Sequence, residues 1–163
     1  MTAPTDAPPR SAAAQAQLVA MVTELFEQRI NFNQLLGLHA DALAGDGVQV
    51  SFAMQPQWLG HQSHSRLHGG VISAVIDAAC GLAVMMAIAE RHSADSVDQV
   101  MQRITRLSTI DLRVDYLRQG IGKRFVTQAT VIRLGGRVGS IQARMSNDEG
   151  TLIATGAAAY IVS

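Results

Sequence analysis

A histidine and two glycines stand directly before an apolar segment that carries a single carboxylate. His68, Gly69 and Gly70 open this segment, and Asp77 lies in its middle. Burying an unpaired carboxylate costs several kcal/mol or shifts its pKa, so the aspartate needs a reason to be there. The first N–H groups of a helix lack internal partners and can bind an oxygen that gains negative charge, and glycine permits close approach. Such a carboxylate can act as a base or as a nucleophile.

Both features also have purely structural interpretations. The two glycines can form a tight turn before a helix, and Asp77 can be a buried aspartate whose hydrogen bonds serve the fold. The spacing adds an independent constraint, because nine residues from His68 to Asp77 correspond to about 13 Å along one helix. A base must come within ~3 Å of its target or act through one water. Asp77 therefore cannot serve the helix start of its own chain, and antiparallel packing of two such helices would bring Asp77 of one copy to Gly69 of the other.

The elements that position these residues follow from hydrophobic periodicity. Helical spacing predicts a helix from Ser11 to about Asn33, a helix that is apolar nearly all round over residues 70–90, and a short helix over Ser96–Arg106. Alternation predicts a strand over Val48–Met54, and a loop follows it up to the helix at residue 70. Four further strands, joined by short turns, close the chain. They are the segments TIDLRVDYLR, RFVTQATVIRL, GRVGSIQARMS and GTLIATGAAAYIV.

This order predicts an α+β fold in which one curved antiparallel sheet wraps around a long central helix, with an extra N-terminal helix. The length of 163 residues suits one domain, which we predict over residues 11–163, after a flexible tail over residues 1–10. That tail has three prolines and no apolar region typical of a signal peptide, so a cytoplasmic protein is expected. The apolar helix is long enough to span a membrane, but a carboxylate at that depth costs about 2.5–3.5 kcal/mol. A helix buried in the protein is the better interpretation.

The charge balance excludes one class of partner. With 13 basic and 13 acidic residues the formal net charge is zero, so no basic field is available to bind nucleic acid, and self-association is favoured. The single cysteine, Cys80, cannot form an internal disulfide, and its place in the apolar run predicts a buried thiol.

The motifs resemble those of the hotdog-fold thioesterases, and more narrowly the branch typified by the phenylacetate-pathway thioesterase. That family's central helix begins with H-G-G-x₆-D, which His68, Gly69, Gly70 and Asp77 match. A strand with Ser or Thr, any residue, then Asp follows in the family, and a Tyr-Leu or Tyr-Met pair comes after it. The matching residues are Thr109, Asp111, Tyr116 and Leu117. The resemblance covers roughly residues 35–161.

The resemblance implies an acyl-CoA thioesterase without a cofactor or metal, assembled as a homodimer that usually pairs into a tetramer. It implies that Gly69 and Gly70 bind the thioester oxygen and that Asp77 activates water or forms an anhydride. Gln62 stands where the family usually has asparagine; it and His68 would position the loop and the thioester. Residues 91–107 are longer than in many members, as in a sub-branch that acts on medium- and long-chain acyl-CoA, and we expect them to border the acyl end as a lid.

Other residues are candidates whose ordinary interpretations stay open. Thr109 can orient the water or the Asp77 carboxylate, or it is a β-branched strand residue. Three arginines are candidates for the phosphates of coenzyme A, although each alone reads as a solvated strand residue. They are Arg133, Arg137 and Arg144.

The sequence also raises four alternative functions. His61, His64 and His68 have a spacing that suits a metal, but no carboxylate in the loop completes the set. A Ser-His-Asp hydrolase lacks the G-x-S-x-G turn, and the usual dehydratase motif is absent. A protein that binds acyl-CoA without hydrolysing it is the main rival. Thiol release from a panel of acyl-CoAs separates this rival from an enzyme.

Overall fold

The computed structural model describes residues 8–43, 47–61 and 65–162. The helices are α1 (Ala12–Glu24), α2 (Asn31–Leu36), α3 (Gly69–Arg91) and α4 (Val97–Ile104). The strands of the main sheet are β1 (His39–Ala42), β2 (Val48–Ala53), β5 (Ser108–Tyr116), β6 (Arg124–Leu134), β7 (Val138–Asn147) and β8 (Leu152–Ile161). Two short strands, β3 (Leu59–His61) and β4 (Arg66–Leu67), pair within the predicted loop before α3.

The main sheet of the described chain has six antiparallel strands in the order β1-β2-β6-β7-β8-β5. The strand predicted over Val48–Met54 is confirmed as β2, and the four C-terminal strands are confirmed, whereas β1 was not predicted. Its sequence, HADA, is short and alternates polar residues only with alanine, which is a weak signal, and it is held as an edge strand by pairing with β2. Strand β5 forms the opposite edge, and most of its residues are exposed.

Helix α3 crosses the inner face of this sheet, so the predicted α+β layout is confirmed. Its residues Ile76 and Leu82 are fully buried against the strands. Close packing depends on a small residue in β8, because a Cβ at Gly156 would lie 2.4 Å from Ile76 Cγ2. By length and composition alone α3 qualifies as a membrane span, but 56% of its most apolar window is buried inside this protein, as in a core helix.

The predicted N-terminal helix is interrupted. Ser11 caps α1, but a wider turn over Leu25–Arg29 follows it, and Ile30 has extended dihedral angles (φ −91°, ψ 101°) before α2 begins. The Asn33 side chain replaces the lost helical contact by donating to the Phe26 carbonyl at 3.0 Å. The break keeps Phe26 in the core while Phe32 of α2 remains 55% exposed.

The segment after α3 is packed against the body of the protein. The predicted short helix is present as α4, and Ser96 and Gln99 cap its start reciprocally. Val100 and Ile104 are buried.

Before α1, the Arg10 side chain donates to the carbonyls of His92 and Asp95, just after α3, at 2.5 and 2.9 Å. The last residue of the predicted tail is thus bound to the domain, and the boundary itself stays a prediction.

Candidate active site

The start of α3 is capped by the histidine of the H-G-G motif. His68 has extended dihedral angles, and its Nδ1 accepts the Gly70 N–H at 2.8 Å. The Gly70 N–H is therefore occupied in this structure, although the sequence predicted it as an oxyanion donor beside Gly69. Within the described residues the Gly69 N–H has no acceptor. The geometry singles out Gly69 as the donor that is available for a substrate oxygen.

Space restricts a side chain at Gly70, whereas Gly69 lies in ordinary contact with Tyr116. A Cβ at Gly70 would lie 2.9 Å from His68 Nδ1, so a side chain there would displace the cap. A Cβ at Gly69 would touch the ring of Tyr116 at 3.4 Å, and the Tyr116 hydroxyl donates to the Gly69 carbonyl at 3.1 Å. Tyr116 thus fixes the first peptide of the helix from the neighbouring strand β5.

The Asp77 carboxylate is half-buried and held by two hydroxyl groups. Thr109 Oγ1 donates to Asp77 Oδ1 at 3.1 Å. The Tyr160 hydroxyl lies 2.5 Å from the same Oδ1 and 2.6 Å from the Asp77 carbonyl oxygen, so its one proton serves both acceptors. Oδ2 has no hydrogen-bond partner among the described residues. The carboxylate is thereby fixed through one oxygen, while the other is left for a substrate or a water.

Thr109 reaches Asp77 because β5 contains a bulge. Thr109 pairs with Tyr160 and Asp111 with Ala159, which leaves Ile110 as the extra residue. Regular alternation along the predicted segment TIDLRVDYLR would place Ile110 on the same face as Leu112 and Val114, but Ile110 is 53% exposed. The bulge turns Thr109 to the inner face of the sheet, where a regular strand would have placed Ile110.

Tyr160 was missed by the sequence analysis. It lies on the inner face of β8, after four small residues, Gly156 to Ala159, which let the strand approach α3. One large polar aromatic residue at the end of a small-residue stretch that faces a helix is the signal that would have found it. Burial and the hydrogen bond to Asp77 raise the pKa of Tyr160 above its ordinary range, so the phenol stays a proton donor.

The Cys80 thiol is inert at this site. Cys80 is fully buried one helical turn beyond Asp77, as predicted. Burial, with the neighbouring Asp77 charge, raises the pKa of the thiol to about 12. A protonated thiol is a poor nucleophile, so Asp77 is the better candidate for a reactive group in this part of the helix.

An open cavity of about 480 Å³ lies over Asp77. Asp77 is the one charged residue among its described lining residues. The floor is the face of α3 that the sheet does not cover, from Gly70 through Asp77 to Met85. One wall comes from the N-terminal segment, with Ile30 and Phe32, and the other from Leu107 and the β5 residues that follow it. The site is apolar apart from the Asp77 group, its hydroxyl partners, Asn33 and two serines.

One protomer does not bring the oxyanion donor and the carboxylate together. Gly69 and Asp77 lie on the same uninterrupted helix, α3. Their separation of eight residues corresponds to about 12 Å along the axis. Within one protomer the structure thus keeps the two predicted groups apart, as the spacing argument expects.

The three predicted phosphate-binding arginines lie away from both groups. Arg133 and Arg137 flank the turn whose Gly135 carbonyl accepts a hydrogen bond from Arg91, at the far end of α3 and about 21 Å from Asp77 along the helix. Arg144 alternates with buried Ala143 and Met145, so it lies on the outer face of the sheet.

A different pair of arginines flanks the start of α3. Arg66 and Arg118 line a cavity of about 600 Å³ together with His68 and Gly69. Neither arginine was selected from the sequence. Arg118 stands next to the Tyr116-Leu117 pair of the motif, and this adjacency is the signal that could have found it.

Some predicted features lie outside the described residues or stay untested. Gln62 and His64 lie outside the described residues. The role of Gln62 in positioning the loop and the metal site suggested by the spacing of the three histidines therefore stay predictions. Across residues 8–43, 47–61 and 65–162, no group of three or more metal-ligating side chains converges. Of residues 91–107, Leu107 lines the Asp77 cavity, while α4 packs on α1 and α3.

Comparison with known proteins gives four results. The sequence model of the Thioesterase superfamily matches residues 64–154. The medium/long-chain acyl-CoA thioesterase YigI of Escherichia coli is 38% identical over 146 residues, which are 90% of this chain and 94% of that protein. A Shewanella oneidensis crystal structure described as related to the thioesterase superfamily has a TM-score of 0.87 at 37% identity, covering 94% of this chain and 100% of that one. The Escherichia coli PaaI protein, 15% identical, has a TM-score of 0.68 over 93% of this chain and 95% of its own, and so shares the fold.

Proposed function

Because the chain belongs to the thioesterase superfamily and is a thioester hydrolase with the hotdog fold, we propose that its substrates are medium- or long-chain acyl-CoA thioesters. The products are a free carboxylic acid and coenzyme A. The observation that carries the proposal is the Asp77 carboxylate, held through Oδ1 by two hydroxyls on the floor of an apolar cavity. The name and full-length similarity of the Escherichia coli relative support the acyl-CoA part.

The reaction begins at Asp77 Oδ2. Acting as a base, the carboxylate takes a proton from a water, and the resulting hydroxide adds to the thioester carbonyl carbon. Negative charge develops on the carbonyl oxygen, where the Gly69 N–H at a helix start stabilises it. The C–S bond then breaks, and the coenzyme A thiolate takes up the proton that Asp77 removed from water. One water is consumed, and one acid and one thiol are formed.

Direct attack by Asp77 is the second route that the same geometry supports. Oδ2 would then form an anhydride with the acyl group, and water would hydrolyse it in the next step. A single turnover in ¹⁸O-labelled water separates the two routes. The general-base route places one label in the acid at the first turnover, whereas water attack at the carboxylate carbon of the anhydride leaves the label in the enzyme.

The site is shared between two copies of the chain. The Gly69 N–H and the Asp77 carboxylate lie about 12 Å apart on one helix, too far to act on one carbonyl group. The α3 face that carries Asp77 is open, and β5 beside it is an exposed edge strand. Antiparallel apposition of two α3 helices places each Asp77 opposite the partner's helix start. The pairing of dimers into a tetramer, which the family resemblance implies, and a cytoplasmic location both stay predictions.

The experiment that tests the function measures free thiol released from acyl-CoAs of four to sixteen carbons. We expect turnover that increases from short to medium chains. Tight binding of acyl-CoA without thiol release would overturn hydrolysis and favour a carrier or sensor on the same fold.

A further inference from the structure

We infer that the break between α1 and α2, together with Met85 of α3, sets the acyl-chain length that the enzyme accepts. This inference rests on the proposed function, because it concerns the acyl group of the same substrate. The relevant juxtaposition is that Ile30 and Phe32 of the N-terminal segment lie across the Asp77 cavity from α3, on the same cavity that Met85 lines.

The cavity runs along α3 from Gly70, past Asp77, to an apolar end at Met85. Around Asp77 it is lined by Thr109 and Tyr160, whose hydroxyl groups face the carboxylate. Further along α3 the lining changes to Ala78, Gly81 and finally Met85. A thioester that reacts at Asp77 therefore has its acyl chain directed along the helix towards Met85.

The distance along α3 defines an approximate chain length. Asp77 and Met85 are eight residues apart, which is about 12 Å on the helix axis. With C–C bonds of about 1.5 Å in a zigzag, each bond advances a chain by about 1.25 Å. The segment between the two residues holds about nine or ten carbons.

The wall opposite α3 depends on the helix break. The extended residue Ile30 redirects the chain, and the bond from Asn33 to the Phe26 carbonyl fixes the start of α2. Phe32 then lines the cavity while 55% of its surface remains exposed. Leu35 lies on the same short helix and is 64% exposed, but it does not line the cavity. A substitution at Phe32 therefore changes the cavity wall, and the same substitution at Leu35 serves as its control.

Physical chemistry predicts how the wall acts on turnover. Each methylene removed from water contributes about fourfold to binding, so kcat/KM rises with chain length as long as the wall covers the added carbons. The rise ends where Met85 closes the apolar end.

The experiment compares Phe32→Ala, Met85→Ala and the control Leu35→Ala on acyl-CoAs of four to sixteen carbons. We expect Phe32→Ala to reduce the gain per methylene from about fourfold towards twofold, because one wall is removed. We expect Met85→Ala to move the optimum two or three carbons longer and Met85→Phe to move it shorter. Leu35→Ala should keep the wild-type profile.

The outcomes separate this inference from the proposed function. If the wild type releases no thiol from any acyl-CoA, the proposed function is wrong. If the wild type is active but the Phe32 and Met85 variants keep its chain-length profile, or Leu35→Ala shifts it equally, the inference alone is overturned. Thermal unfolding of each variant shows that the compared proteins are folded. The opposed shifts expected for Met85→Ala and Met85→Phe cannot arise from a general loss of stability.

Discussion

The Tyr160 hydroxyl lies 2.5 Å from Asp77 Oδ1, on the oxygen that Thr109 also contacts. Tyr160 stands near the end of the last strand and Asp77 in the middle of the central helix. The relationship makes Tyr160 a positioning residue: it holds one carboxylate oxygen so that the other faces the substrate. Its effect on the reaction passes through Asp77.

Tyr160→Phe removes this donor and keeps the ring. We expect kcat to fall about tenfold with KM nearly unchanged, since a hydrogen bond to a charged group contributes about 1.5–3 kcal/mol. Tyr116→Phe, at the other tyrosine of the chain, removes a phenol bonded to Gly69 instead and serves as the comparison. An unchanged kcat, or equal changes in kcat and KM, in Tyr160→Phe would make the hydroxyl merely structural.

Asp77→Asn keeps the shape of the side chain and removes its basicity. We expect kcat to fall by a factor of about 10² or more, in line with the loss of a general base. The amide still accepts from Thr109 and Tyr160, so the thermal midpoint should stay close to that of the wild type. A variant with nearly normal kcat would show that Asp77 is not the reactive group.

Mixed dimers test whether the site is shared. Asp77→Asn lacks the carboxylate, and Gly69→Pro lacks the N–H donor at the first position of α3, where proline is well tolerated. Each variant alone should be inactive. After unfolding, mixing and reassembly, random pairing gives half heterodimers with one intact site each, so activity should return to about a quarter of the wild type. Continued inactivity while native mass spectrometry detects heterodimers would place the site within one chain.

A substrate without phosphates tests which arginines bind the phosphates of coenzyme A. We expect Arg66→Gln to raise KM for acyl-CoA about tenfold, because it removes a charge-assisted contact beside the helix start. KM for the corresponding acyl-pantetheine thioester, which lacks phosphates, should not change. Arg133→Gln serves as the comparison, since Arg133 lies beside the turn at the far end of α3. If Arg133→Gln raises KM for acyl-CoA and Arg66→Gln does not, the phosphate-binding role predicted for Arg133 from the sequence is correct.

Thr127 offers a prediction about stability. Its side chain is fully buried, and among the described residues its Oγ1 is without a hydrogen-bond partner. Thr127→Val replaces the hydroxyl by a methyl group of similar shape. We expect the free energy of unfolding to rise by about 1 kcal/mol. Thr130→Val, three residues along the same strand but exposed, should change it by less than about 0.5 kcal/mol. Denaturation in urea measures both, and a clear loss in Thr127→Val would show that the hydroxyl is satisfied in solution.

The sequence predicted the elements whose pattern is local. Helix α3 and strands β6 to β8 follow from an apolar run and from regular alternation between short turns, and their positions agree with the structure. The separation of Gly69 and Asp77 could also be predicted from the sequence, because it depends only on the local geometry of one helix. The break at Ile30, the edge strand β1 and the bulge at Ile110 were not predicted, because each is decided by contacts with residues distant in sequence. Tyr160 belongs to this second group, since its partner lies across the interior on α3.

Strand order has a consequence for how the polypeptide folds. The neighbours β6, β7 and β8 are joined by short turns, so their contacts form at little cost in loop entropy. Strand β2 pairs with β6, although the whole of α3 lies between them in the sequence. Strand β5 pairs with β8, which is the last strand of the chain. Such non-local pairings are slow, and we expect β2, β5 and the N-terminal helices to dock after a β6–β8 meander has formed. Thr109 and Phe32 are on these late elements, so the substrate cleft is completed in the final steps, and local opening of the native state should expose it first.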